Sequence, residues 1–229
     1  MKAPPTISPL SETPRALADF SSFARMASSM RTKGVWGIGQ DGTPPPAGAR
    51  YLFITDSMMR GWLKWAGGIV VAADMGLVAD NFLVKHRLAL GDPEEEGNWE
   101  AAPDGTSRDP WSKAYRALLI ELSPPHGDLT FSGTSYGSEL GFKAFSGAYA
   151  AERSQHPGTY PVVELATAPW MSKRYGKQIR PDFPIVGWAS VEDVRAGHKA
   201  QATVAAPKKK AKAKPAAADL DDELPAWAK

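Results

Sequence analysis

The spacing of apolar positions changes period several times along the chain. In "TPRALADFSSFARMASSM", Leu17, Phe20, Phe23, Ala24, Ala27 and Met30 recur three or four residues apart, the period of one helical face. Thr13 can cap such a helix and Pro14 suits its first position. The pattern predicts an N-terminal segment over 1–33, made of a Pro-rich start and this helix. "GIGQDGTPPPAGA" breaks it with Gly and Pro. Strand-like runs follow. "RYLFIT" is aromatic and β-branched. "GWLKWAGGIVVA" is a second run, with Gly67-Gly68 marking a bulge or tight turn. "NFLVKHRLAL" fits neither period cleanly, and "GDPEEEGNWEAAPDGTSRDPW" is a polar, turn-rich excursion.

"AYRALLIELS" reads as a buried strand, and Pro124-Pro125 with Gly127-Asp128 turns it into "LTFSGTS", a predicted hairpin. "SYGSELGFKAFSGAYAAERSQ" then predicts a helix. Ser135 caps it, and Leu140, Ala144, Phe145, Ala148 and Tyr149 share a face. "VVELATAPW" is a strand, "SKRYGKQIRPDF" a basic loop or hairpin, and "PIVGWASV" a final strand. Short strands around one main helix suggest a mainly β (α+β) fold, an OB-like small β-barrel over 34–195 with one or two helices. A mixed α+β sheet would give the same order of elements. From Ala196 on, the sequence reduces largely to Ala, Lys and Pro. The segment 196–229 is expected to be a disordered linker ending in an acidic tip.

Composition narrows the chemistry. The 229 residues suit one domain plus tails, and 43% hydrophobic content allows a sizeable core. The formal net charge of +2 does not by itself indicate nucleic acid. With 0 Cys there is no disulfide, thiolate metal site or cysteine nucleophile, and a reducing compartment is permitted. The 4 His (His86, His126, His156 and His198) lie far apart, which argues against a histidine metal site, and no cofactor is expected. "MKAPPTISPL" lacks an apolar signal core and no apolar run approaches the ~18 residues of a bilayer span. The expectation is a cytoplasmic protein that does not engage a membrane.

Trp, at 8, and Pro, at 20, stand out. Single-strand nucleic-acid binders use aromatic faces for bases and cations for phosphates. "RYLFITDSMMRGWLKWAGG" supplies both in Arg50, Tyr51, Phe53, Arg60, Trp62 and Lys64. Trp62 and Lys64 share one strand face and Trp65 takes the other. The competing reading puts the large aromatics in the core. "WMSKRYGKQIR" repeats the mixture, with Lys173, Arg174, Tyr175, Lys177 and Arg180 as further candidates after Trp170. "DPWSKAYR" reads as a structural corner: Pro110 fixes a turn and Trp111 covers the end of the barrel. "SGTSYGS" lacks the Lys and spacing of a phosphate-binding loop and reads as a helix cap. Asp92, Glu94, Glu95, Glu96 and Glu100 could hold Mg²⁺ for nuclease chemistry, although consecutive acids on a turn-rich segment point apart.

The chain ends "KKKAKAKPAAADLDDELPAWAK". Lysines on a flexible stem can slide along phosphates. Asp221, Asp222 and Glu223 followed by Leu224, Pro225 and Trp227 can anchor in a partner's pocket while the acids meet its basic rim. "DLDDELPAWAK" resembles the C-terminal tip of bacterial and phage single-stranded DNA-binding proteins, over about ten residues. In that family the tip ends on the aromatic itself, whereas Ala228 and Lys229 follow Trp227 here. The resemblance implies a non-catalytic, sequence-independent binder of single-stranded DNA, acting in replication or recombination, whose tip recruits partner proteins of those processes. Two other classes stay open: a metal-dependent nuclease using the acidic loop, and a scaffold whose tail alone has a partner.

Overall fold

The computed structural model describes residues 23–27, 34–39, 41–91, 99–101, 107–124, 126–173 and 175–197. It is mainly β. Its spine is strand β3, Arg50–Ala66, which takes in "RYLFIT", "DSMMR" and "GWLKWA" as one strand. Strands β1 (Phe23–Ala27) and β2 (Val35–Ile38) precede it. Gly67 and Gly68, at φ 58° and 77°, make the two-residue turn into β4, Ile69–Leu77. Two consecutive positive φ values favour glycine, and their twist matches that of a hairpin.

Two separate hairpins and four strands of the main sheet follow β4. The first hairpin is β5 (Glu100–Ala101) with β6 (Ser107–Arg108). β7 (Trp111–Glu121) pairs with β3 on one edge, through a register shift between Ile54 and Met59. β8 (Asp128–Gly133) returns from β7 as a hairpin. The other edge of β3 is shared: β9 (Tyr160–Glu164) takes its first residues and β4 its last. The second separate hairpin is β10 (Ala166–Ser172) with β11 (Gly176–Asp182). β12 (Ile185–Ala189) pairs with β9, giving the path β12-β9-β3-β7-β8-β1-β2 with β4 attached to β3. That path has two ends, so its backbone pairing does not close into a ring.

Helix α1, Tyr136–Glu152, begins where predicted, and the Ser135 side chain accepts from the Ser138 N–H. α1 lies against β11. A Cβ at Gly141 would collide with the Pro181 carbonyl, so that glycine lets helix and strand backbones approach. The inner side of α1 meets a core of aromatic rings. Phe183, in the link between β11 and β12, is the hub, with ring centroids 5.1 Å from Phe131, 5.5 Å from Phe53 and Trp36, and 5.9 Å from Phe145. Burying such a ring contributes about 1.5–3 kcal/mol. On the opposite face of the sheet, Leu52, Ile120 and Val162 meet Ala189 and Val194. Val194 comes from a short helix, α2 (Val191–Arg195), capped by Ser190.

Several expectations need correction: "VVELATAPW", read as one strand, divides between β9 and β10 of different sheets, and α1 buries Gly141, Phe142 and Phe145 rather than Ala144 and Ala148. Phe23–Ala27, placed by sequence in a helix, is strand β1, antiparallel to β2 and parallel to β8. Helix propensity is a weak prior, and backbone bonds to two neighbouring strands override it. β1 therefore belongs to the same sheet as the rest of the domain. The remainder of that predicted helix lies outside the described residues. The final strand also stops early: Ser190 caps α2 where "SV" reads as extended. The predicted linker and acidic tip, beyond Gly197, lie outside the described residues.

Candidate nucleic-acid interface

Directly paired residues of adjacent strands project to the same side of a sheet. The pairing therefore sorts the candidates. Tyr51, opposite Val163, and Phe53, opposite Leu119, face the aromatic core and are each 0% exposed. Phe53 stacks on Phe145 at 4.0 Å. Neither ring can stack a base in this fold, so both leave the candidate set. The reason is α1, which covers this half of β3. Arg50 sits at the same end and pairs with Glu164 at 3.3 Å. The extended strand between Arg50 and Lys64 spans about 45 Å if straight.

The distal half of β3 runs on past α1. There Arg60 pairs with Tyr115, Trp62 with Lys113 and Lys64 with Trp111. All of these side chains share one face. Each lysine lies over the indole opposite it: Lys113 Nζ is 5.8 Å from the Trp62 ring centroid and Lys64 Nζ 6.0 Å from that of Trp111. Such contacts contribute about 0.5–1 kcal/mol each at exposed sites. The result is a two-by-two chequer of cation and aromatic ring. It arises because β3 carries Trp-Leu-Lys at 62–64, β7 carries Trp-Ser-Lys at 111–113, and the strands run antiparallel.

Residues 82–91 wall one side of this face. The Arg60 guanidinium donates twice to the Phe82 carbonyl, at 2.8 and 3.2 Å. The Trp62 indole N–H donates to the Lys85 carbonyl at 2.9 Å, and Trp62 is only 9% exposed. Lys85 is paired with Asp74 at 2.6 Å. The ambiguous "NFLVKHRLAL" is thus largely irregular, ending in a short 3-10 turn at Arg87–Leu90. Buried Arg87 anchors it through two 2.7 Å bonds to Asp109. Asp109 also accepts from the Trp111 N–H at 2.9 Å, so one ion pair fixes both the wall and the start of β7. Beside it, the Pro110 carbonyl accepts from the Trp65 N–H at 2.8 Å, which joins the start of β7 to β3.

The first turn of α1 forms the opposite wall. Glu139 lies 2.8 Å from Lys143 and 3.9 Å from Lys113. The half-buried Tyr115 lies beside the same carboxylate. Burial, then the charge of Glu139, pushes that phenol well above the ordinary tyrosine range. One turn back, exposed Tyr136 meets Trp170 of β10 edge to face at 5.3 Å. These contacts link the chequered face to the β10–β11 hairpin, on which Lys173, Tyr175 and Lys177 are exposed. Arg180 is turned inward to Asp182 at 3.2 Å, and Arg174 lies outside the described residues.

The fold thus brings Arg60, Trp62 and Lys64 together with Lys113 and Trp111, neither of which was singled out as a binding residue from sequence. The repeated Trp-x-Lys was the available signal. Of the acidic loop, Asp92, Glu94, Glu95 and Glu96 lie outside the described residues, as do the tail residues Asp221, Asp222, Glu223, Leu224, Pro225 and Trp227. Among the described residues, no group of three or more His, Asp or Glu side chains could hold a metal ion, and no helix is long and apolar enough to cross a membrane. No family model matches the chain, and neither a curated protein nor a solved structure does.

Proposed function

We propose that the chain binds single-stranded DNA without sequence preference, as a non-catalytic protein of replication or recombination. The observation that carries this reading is the Trp-x-Lys chequer on the β3–β7 face. Indoles stack on any base, and ammonium groups two residues away meet the phosphates between bases. Lys113 is exposed and Trp111 half-buried, so these two make first contact. Buried Trp62 supports Lys113 from beneath. Lys173, Tyr175 and Lys177 extend the track along the hairpin.

An OB-like use of the sheet belongs to the same proposal. The Trp36 indole, near the β2 end, donates to the Ala166 carbonyl, just past β9, at 2.8 Å. This bond ties β2 to the start of the β10–β11 hairpin, which supports an OB-like use of the sheet without closing it. The tail residues Asp221 to Trp227 are proposed to recruit the protein partners. Pull-down of such partners should fail once Asp219 to Lys229 are deleted. The binding test is tryptophan fluorescence during titration with oligo-dT at two salt concentrations. Quenching with salt-weakened affinity is the expected result. Mg²⁺-dependent cleavage of the oligonucleotide would instead favour a nuclease, and no response at all a scaffold.

A further inference from the structure

The lysines beside the chequered face already have an anion between them. Glu139 is on the first turn of α1 and only 13% of its side chain is exposed. Its Oε1 lies 2.8 Å from Lys143 Nζ and its Oε2 3.9 Å from Lys113 Nζ. The two lysines are themselves accessible, with side chains 68% and 50% exposed. One carboxylate thus spans two cations through its two oxygens, as the two non-bridging oxygens of a phosphodiester can. The helix start favours a negative charge there.

We propose that Glu139 is an internal competitor for the nucleic-acid phosphate, and that it sets the affinity of the interface. The inference rests on the single-strand reading above. A phosphate approaching Lys113 and Lys143 meets cations that are already neutralised, and it is repelled by the carboxylate beneath them. Binding therefore releases fewer counterions than the lysines alone would allow. The structure offers two opposite roles for such a residue. If Glu139 mainly held the lysines in position for phosphate, its removal would weaken binding. A competitor's removal strengthens it.

Glu139→Gln tests this, because glutamine keeps the length and the planar head and removes only the charge. Oligo-dT affinity should rise a few-fold to about tenfold at low salt, less at high salt, where screening hides the freed charges. The slope of log affinity against log salt should steepen by about 0.7 for each further phosphate neutralised, up to about 1.4 for two lysines. Glu139→Asp, which keeps the charge, should leave the slope as in the unaltered protein. Circular dichroism and thermal melting of both variants exclude a folding defect. If the unaltered protein binds oligo-dT and Glu139→Gln binds equally or more weakly, the competitor role is wrong and the single-strand reading stands. If neither binds, the reading itself fails and the competitor role falls with it.

Discussion

The two halves of β3 carry similar side chains under different cover: aromatic rings seal the first, whereas the second, with Trp62 buried, leaves Lys64, Trp111 and Lys113 at least partly open. Tyr51 and Phe53 in the first half are sealed against Phe145, Phe183 and Val163. Trp62 and Lys64 in the second half share the same face of the same strand, but their neighbours are Trp111 and Lys113. What differs is the cover. α1 lays Phe145 on Phe53 in the first half; over the second its first two turns bring Glu139 to Lys113 and Phe142 to Tyr115, and they stop short of Trp111. An aromatic residue on a strand becomes core or candidate surface according to which element lies over it. Composition cannot express that choice.

The largest expected effect tests the covered half. Phe53→Ala should destabilise the fold by about 3–5 kcal/mol, read from denaturant unfolding, because the ring is fully buried and the cavity cannot be solvated. Oligonucleotide affinity per folded molecule should not change. A stable variant that has lost binding would place Phe53 at the interface and erase the distinction between the halves.

Trp111→Ala addresses the open half. It should weaken single-strand binding by about 1–3 kcal/mol if a base stacks there. The fold should survive, since the Asp109–Arg87 pair that fixes the strand start remains. Unfolding with normal binding by the folded fraction would make Trp111 a covering residue only, as the corner reading of "DPW" has it.

Charge gives a smaller effect. Replacing Lys64 by Ala should flatten the salt dependence by about 0.7, and replacing Lys113, which Glu139 already faces, by less. An unchanged slope at unchanged affinity would move the nucleic acid away from this face. The Lys173 and Lys177 pair, replaced in the same way, maps how far the track follows the hairpin.

The smallest effect concerns Tyr51, whose buried hydroxyl has no hydrogen-bond partner among the described residues. Burial, and then the nearby Glu121 charge, pushes its pKa up to about 12. The folded state therefore keeps a proton that the unfolded chain, titrating near ~10, releases. Stability is unaffected below about pH 10 and falls between about pH 10 and 12, by up to about 1.4 kcal/mol per unit for this group. Tyr160, also raised to about 12 through its hydrogen bond to Asp56, adds to the slope. Tyr51→Phe should leave stability at neutral pH nearly unchanged and make the alkaline loss shallower. An identical alkaline profile would show that Tyr51 is not sealed.

Local features were legible in the sequence because local interactions decide them. Ser135 caps α1, Gly67-Gly68 turns β3 into β4, and "SKRYGKQIRPDF" folds back as part of a hairpin. Each follows from the backbone freedom or hydrogen-bonding capacity of a few adjacent residues. The alternation that puts Trp62 and Lys64 on one face is equally local. Tertiary structure decided the rest. It took Phe23–Ala27 out of a helical pattern by offering strand partners on both sides. It left the sheet path open, buried Tyr51 and Phe53 under a helix far along the chain, and set Trp-Ser-Lys antiparallel to Trp-Leu-Lys. Exposure and cross-strand neighbours depend on surfaces contributed by distant segments. The residue types that could form an interface are written in the chain, but which of them face outward together is fixed only when the packed elements remove the others from water.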